Sequence, residues 1–402
     1  MAMSTDGSLQ SAIKAHKAGL LADAEAQYRR VLQNQPDDPD ALNFLGMLRG
    51  QSGDATEAAT LLKRSVEADP TNPHAWLNLG NVLVILHKDE EARTAFTKAT
   101  ELAPGFAMAW FNLGVCLGRC KQPLEAASAL HRALKIEPGH LRAYESLGLV
   151  LHRLGNYAEA AEVFREWLQH DPENPFARHM LAATSGAEAP SKAADEYVRQ
   201  LFDDFAANFD ENLASLKYRA PQLIADRLGR EMHGGRPGDI LDAGCGTGLC
   251  GPLVRPHART LVGIDLSAAM IEKARTRGGY EELIVAELCT FMSSRPDAFD
   301  VVISADTLVY FGALEEPLRA ARTCLRRGGL LIFSVEHADG GGSGSGERPY
   351  RLETHGRYSH SEGYIRSALP AAGFSGVSIE RGVLRRERGS DVRGLIVLAG
   401  AA

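Results

Sequence analysis

Five prolines, Pro36, Pro70, Pro104, Pro138 and Pro172, stand 34 residues apart, and a period of that length restricts the first part of the chain to one stacked helical unit used repeatedly. Other positions keep the same register. Gly46, Gly80, Gly114 and Gly148 follow Leu45, Leu79, Leu113 and Leu147, with Leu42, Trp76, Trp110 and Tyr144 three positions before those leucines. Ala58, Ala92, Ala126 and Ala160 come twelve residues after each glycine, followed by Leu62, Phe96, Leu130 and Phe164. Small residues at the glycine and alanine positions let two helices approach closely, the large ones fill the space between neighbours, and the proline ends each second helix. The first unit is degenerate, keeping Ala24, Tyr28 and Pro36 but carrying Ala12 where the glycine belongs. Residues 175–185 read as a lone capping helix, as the ends of solenoids require.

Glycine then divides the chain: residues 1–186 hold 13 of the 40 and the rest hold 27, so long helices give way to turns and strand-to-helix loops. The expected organisation of the 402 residues is an all-α solenoid over 5–186, a small polar linker over 187–195 and a second domain over 196–402. A net charge of -7 supplies no global positive field for nucleic acid or an anionic membrane. No apolar run approaches a bilayer span and the first twenty residues lack the apolar core of a signal peptide, so a cytoplasmic location is expected. Six cysteines form no CxxC pair or zinc-like quartet, and Cys116 and Cys120, one helical turn apart, are expected to pack as small apolar residues with no metal.

In the second half, DILDA, TLVGI, ELIVA, DVVIS and GLLIFSV alternate with helical stretches, which argues for a doubly wound α/β fold with a parallel sheet. Ligands in such sheets bind beyond the carboxyl ends of the strands, and the loop after the first strand reads LDAGCGTG (241–248). Gly244, Gly246 and Gly248 let the backbone turn, leave room for a ligand and expose amides at a helix start. Asp265 ends the second strand, where its carboxylate can accept from both hydroxyls of a ribose. Together these describe a nucleoside site. Residues 246–251 (GTGLCG) also satisfy a dinucleotide fingerprint with Asp265 19 residues on, an alternative weakened because the fingerprint should begin where the strand ends. Asp242, inside the strand end, suits an ammonium group rather than a pyrophosphate.

The 34-residue register resembles the tetratricopeptide repeat over about residues 5–174. The string LDAGCGTG, with GIDLS, DVVIS and LRRGGLLIFS, resembles class I S-adenosylmethionine-dependent methyltransferases over about 196–400, and the whole arrangement resembles a bacterial group of repeat-containing methyltransferases. The resemblance implies a seven-stranded Rossmann-like domain. It implies that Asp242, Gly244, Cys245, Gly246 and Gly248 hold the methionine portion, Asp265 with Leu266 the ribose, and Glu287 with Leu288 the adenine, Ser304 completing the cofactor set. Family members often carry Asp at the Glu287 position.

Methyl transfer from a sulfonium is an in-line displacement, so positioning in a dry pocket dominates and a base is needed only where the acceptor must be deprotonated. Asp306 and Tyr310 after the fourth strand, and Glu336 with His337 after the fifth, are acceptor-side candidates, and His360 is a second candidate base. The stretch YRLETHGRYSHSEGY (350–364) is expected to wall the acceptor pocket through Tyr350, Arg357 and Tyr358, with Arg357 gripping a carboxylate or phosphate. Residues 338–349 read as a flexible loop beside the cleft, residues 196–231 as helices over it, and Arg385, Arg386 and Arg388 as solvated charges on a closing hairpin. The concave repeat face, including Leu77, Asn81, Ile85, Met108, Phe111 and Val115, is expected to take a protein or peptide partner, its own second domain or another copy. Asn78 and Asn112 match the asparagines that grip extended peptides in O-linked N-acetylglucosamine transferases. Three functions follow: a methyltransferase whose repeats dock a partner or substrate, a small-molecule methyltransferase whose repeats serve oligomerisation, and a non-catalytic cofactor-binding scaffold.

Overall fold

The computed structural model describes residues 5–186, 189–232, 235–338, 348–387 and 389–402, and the chain divides into two compact units between Pro172 and Glu173. The first unit consists of paired helices: α1 (Thr5–Lys17) with α2 (Leu21–Asn34), α3 (Pro39–Gln51) with α4 (Ala55–Ala68), and α5 (Pro73–Ile85) with α6 (Asp89–Leu102). The series continues with α7 (Ala107–Arg119), α8 (Pro123–Ile136), α9 (Leu141–Leu154) and α10 (Tyr157–His170).

Local chemistry sets these boundaries. Asp38 and Asn72 accept first-turn amides and are followed by Pro39 and Pro73 at the first helical position, where the missing N–H costs nothing. The repeating prolines lie in the turns between units, and the indole N–H groups of Trp76 and Trp110 donate to the carbonyls of Pro70 and Pro104 at 2.9 and 3.0 Å. The register glycines are explained by close approach. A Cβ on Gly80 would stand 2.4 Å from the Phe96 ring, and one on Gly46 or Gly114 would stand 2.7 or 2.6 Å from Leu62 or Leu130. Gly80→Ala is therefore expected to destabilise the repeats by about 1–3 kcal/mol through overpacking; an unchanged denaturation midpoint would detach the glycine from helix approach.

The second unit begins with α11 (Pro175–Ser185), α12 (Asp195–Phe205), α13 (Phe209–Ser215) and α14 (Ala220–Glu231). Here the expected boundary shifts. The helix expected to cap the solenoid falls in the second unit, where Ala183 joins the main core and His179 stacks on Tyr197 at 4.1 Å. The alternating half follows as β1 (Gly238–Ala243), α15 (Gly251–Val254), β2 (Ala258–Asp265), α16 (Ala268–Arg277), β3 (Glu282–Val285) and α17 (Leu288–Ser293). It closes with β4 (Phe299–Ser304), α18 (Glu315–Cys324), β5 (Leu325–His337), β6 (Tyr350–Leu352), β7 (Tyr358–His360), α19 (Glu362–Ala371), β8 (Phe374–Glu387) and β9 (Ser390–Ala401). The helix expected from about residue 249 is thus a single turn.

The strands form one sheet in the order β3-β2-β1-β4-β5-β7-β6, with β9 also paired to β5 and β8 to β9. Among the described residues nine strands replace the seven expected. The surplus is the short β6–β7 ribbon, and its cause is the length of β5. β4 stops with Ser304 opposite Phe333, and beyond that point Glu336 and His337 pair with Ser359 and His360. An open strand edge attracts a partner. Alternate residues feed two cores: Leu241, Val302, Phe333 and Val397 on one face, Ile240, Val301, Ile332 and Ile396 on the other, as the period of two in a strand dictates. The sheet reverses order between β1, which pairs β2, and β4, which leads to β5, so the crevice for a ligand opens beyond the carboxyl ends of β1 and β4. Among the described residues no helix is long and apolar enough to cross a membrane.

Candidate active site

The loop after β1 turns on three glycines with φ of +81°, +54° and +81° at Gly244, Gly246 and Gly248, a region that L side chains avoid. Their roles differ. A Cβ on Gly244 would meet Thr307 Oγ1 at 2.1 Å, and one on Gly248 would meet the Tyr280 ring at 3.1 Å, whereas a Cβ on Gly246 meets nothing. Two of the glycines make room for the protein itself and only Gly246 faces open space.

Beneath the loop, Asp242 is fully buried. Its Oδ2 accepts from the Tyr280 hydroxyl at 2.6 Å while its Oδ1 has no partner, and burial, with Asp265 nearby, pushes the carboxyl up to about 7 against the pull of that hydrogen bond. Asp265 accepts the amide of Gly246 at 2.8 Å and that of Ser267 at 2.9 Å, so the second-strand acid ties the loop to α16. With the Leu266 amide also hydrogen-bonded to it, the carboxylate keeps acceptor capacity for a hydroxyl. Leu266 is half-buried beside it, and Cys245 is buried with its amide donating to Ile264. Glu287 caps α17 through the Thr290 amide at 2.7 Å and accepts from Lys192 at 3.2 Å; Leu288 lies in the core. Ser304 is buried with its hydroxyl donating to the Ala243 carbonyl, which makes it a tie between the two strand ends rather than a cofactor contact. Helices α12 and α13 clip onto this region: Asp203 accepts from Ser267, and Asp210 from Thr247 and Arg277.

The acceptor side differs more from expectation. Asp306 stands in left-handed backbone at φ +53°, its amide and carboxylate both bonded to Ser334, and Arg385 Nη1 reaches its Oδ2 at 2.7 Å. Arg385 is 4% exposed, not solvated, and also contacts Glu336 and Glu387. Arg357 donates to Glu336 and Glu387 at 2.6 Å each, so the fork expected to grip a substrate anion is already engaged. Burial alone would raise the Glu336 carboxyl, but His355, Arg357 and Arg385 hold it well below the usual carboxylate range. That makes Glu336 a poor base. Arg386 stays exposed beside Asp391, and Arg388 lies outside the described residues, as do 339–347 of the glycine-rich segment.

His360 is fully buried. Its Nε2 donates to the Gly312 carbonyl at 3.1 Å, Nδ1 has no partner, and burial lowers its pKa to about 4. It stacks on Tyr364 in an aromatic cluster with Tyr350, which fits a core histidine better than a base. Because the unfolded chain binds that proton more readily, the contribution of His360 is intact above pH 6.5 and falls away toward pH 4. Acidification from pH 7 to 5 should cost about 2 kcal/mol, measurable by urea unfolding, and His360→Phe should flatten that slope. Tyr358 is also buried, donating to the Pro190 carbonyl at 2.7 Å, so it supports the wall from behind. His337 is half-buried at the end of β5, and Tyr310 packs edge-on against Phe202 with its hydroxyl pushed up to about 12 by burial.

The expected linker is built into this side. Ser191 accepts the amides of Gly312 and Ala313, and Ala193 donates to Tyr310. Small residues allow an extended backbone to lie against the β4 loop. Arg385, Tyr280 and Lys192 had no motif to announce them, since Asp306 and Glu336, Asp242, and Glu287, their partners at the site, are distant in sequence. Burial, with Asp306, Cys250 and Asp242 nearby, raises the Tyr218 hydroxyl well above its usual value against the opposing pull of Arg385.

A model of the methyltransferase domain matches residues 241–333, and tetratricopeptide-repeat models match 9–73, 51–113 and 122–175. The chain joins tetratricopeptide repeats to a methyltransferase domain. The human Methyltransferase-like protein 27 is 36% identical over 113 residues, 27% of this chain and 45% of that protein. A malonyl-[acyl-carrier protein] O-methyltransferase of Geobacter sulfurreducens is 29% identical over 196 residues, 45% of this chain and 71% of its own. The chain thus spans less than half the length of the first of these relatives. A crystal structure of MamA aligns with 43% of this chain and 98% of its own at 26% identity and a TM-score of 0.39. The domain is of the class that uses S-adenosylmethionine, and its residues fit that group: a buried carboxylate oxygen without a donor suits the ammonium of the methionine portion, and the space above Gly246 suits a ligand lying on the loop.

Proposed function

We propose that the methyltransferase domain transfers a methyl group from S-adenosylmethionine to an acceptor held beyond the ends of β4 and β5, and that the repeats dock a protein or peptide partner or substrate. The observation that carries this is the unpartnered Oδ1 of buried Asp242 under a loop whose Gly246 faces open space. When bound, the cofactor supplies an activated methyl group on a sulfonium. Asp242 would orient its methionine portion, Asp265 its ribose, and Glu287 with Leu288 its adenine. Tyr310, Tyr218 and His337 are the acceptor-side groups that would exclude water and orient the acceptor atom. His337 is the base in this scheme, because Glu336 is held ionised by arginines and His360 is buried and neutral.

Tetratricopeptide repeats bind proteins or peptides in general. On the first helices of this unit Ile85, Met108 and Val115 are 59%, 42% and 39% exposed, apolar area that an interacting chain would cover. The amides of Asn78 and Asn112 donate to Asn43 and Asn81 at 2.9 and 2.7 Å, which leaves their carbonyl oxygens for a ligand backbone. The test is incubation of the full chain with tritiated S-adenosylmethionine and a cell extract, followed by separation of protein from small molecules. Label in protein is expected; label confined to small molecules would overturn the partner-substrate reading, and no label in either would overturn methyl transfer.

A further inference from the structure

Tyr280 lies in GGYEELIV, outside the cofactor motifs, yet its side chain is built into the floor of the nucleoside loop. Three glycines make its seat. A Cβ would reach the Tyr280 ring at 3.1 Å from Gly248, 2.6 Å from Gly251 and 2.9 Å from Gly263, so residues from the loop, the start of α15 and β2 all surrender side chains to admit one ring. From that seat the hydroxyl donates to Asp242 Oδ2 at 2.6 Å, and the other carboxylate oxygen has no partner although it is fully buried. A buried carboxylate with one oxygen satisfied and one empty is costly unless something else completes it.

We propose that Tyr280 is a positioning residue of the cofactor site: its hydroxyl fixes Asp242 Oδ2, so that Oδ1 is the oxygen presented to the ammonium of the methionine portion. This rests on the loop taking S-adenosylmethionine. Tyr280 touches no reacting atom; it acts by removing the rotational freedom of Asp242 and by favouring its ionised form. The titratable and charged groups facing Asp242 are Tyr280 itself, Asp265 at the end of β2, Cys245 in the loop, Cys250 before α15 and Tyr218 before α14. None of these is a cation, which leaves the Tyr280 hydroxyl as the group that favours the carboxylate until an ammonium arrives. Because the buried carboxyl titrates at about 7, ligand binding through it should be proton-linked.

The experiment is calorimetric titration of the full chain with S-adenosylhomocysteine and with methylthioadenosine, which lacks the amino-acid portion, between pH 6 and pH 8.5. Tyr280→Phe keeps the ring in its seat and removes only the hydroxyl. It is expected to weaken S-adenosylhomocysteine about tenfold at pH 7.5, to move the midpoint of the pH dependence upward, and to leave methylthioadenosine within about twofold of the unchanged protein. Asp242→Asn should erase the pH dependence, and adding Tyr280→Phe to it should produce no further loss. Equal weakening of both ligands would reduce Tyr280 to packing and overturn the proposal, as would an unshifted pH midpoint. If the unchanged chain binds neither ligand, the assignment of the loop itself falls, and the proposal with it.

Discussion

Gly246→Trp is expected to lower the affinity for S-adenosylhomocysteine by at least about a hundredfold and to abolish methyl transfer while the domain stays folded. The physical case rests on the contrast among the loop glycines. At Gly244 and Gly248 a side chain would strike Thr307 or Tyr280, so loss of binding there could be blamed on a distorted loop. At Gly246 a side chain meets no protein atom within 4 Å, and its cost to the fold is the strain of a left-handed residue at φ +54°, about 1–2 kcal/mol. A large indole would instead occupy the volume assigned to the ligand. Calorimetry gives the affinity and thermal unfolding the stability. Retention of affinity within threefold would refute the nucleoside-loop assignment, whatever the effect on activity.

The largest effect on stability is expected at Arg385. Its three nitrogens meet three carboxylates, of Asp306, Glu336 and Glu387, at a position 4% exposed. Arg385→Leu would leave those acids facing one another with only Arg357 and His355 to offset them. Removing one member of a buried charge network strands the others, typically at about 3–5 kcal/mol. Urea unfolding at pH 7.5 should show that loss. Arg385→Lys should recover little, since a single ammonium cannot reproduce a fork that reaches three acids. A loss below about 1 kcal/mol would show that water or another cation already compensates the cluster.

The two residues illustrate how unevenly the site could be read from sequence. LDAGCGTG was legible because consecutive residues form the loop, and φ values follow from residue type over a few positions. Arg385 was misread as solvated because its environment is made by residues 49 and 79 positions away; a charged residue near a turn carries no mark of burial. Tyr358 and His360 were misread for a related reason. An aromatic and basic stretch at the end of a strand looks like a pocket lining, yet pairing with β5 turned both side chains into the core. Residues 175–185 looked like the end of the solenoid because they continue its spacing, whereas Ala177, Met180 and Ala183 are buried within the second unit.

By itself the sequence determined the 34-residue helical register, the strand-helix alternation and the glycine loop with its two acids, since each depends on local periodicity and backbone preference that neighbouring residues express. Only the tertiary structure decided which glycine faces a ligand, which acids are neutralised by buried arginines, and that Tyr280, 38 residues from Asp242 in the chain, sets the orientation of its carboxylate. Those outcomes depend on desolvation and on contacts between distant segments, and a linear pattern records neither.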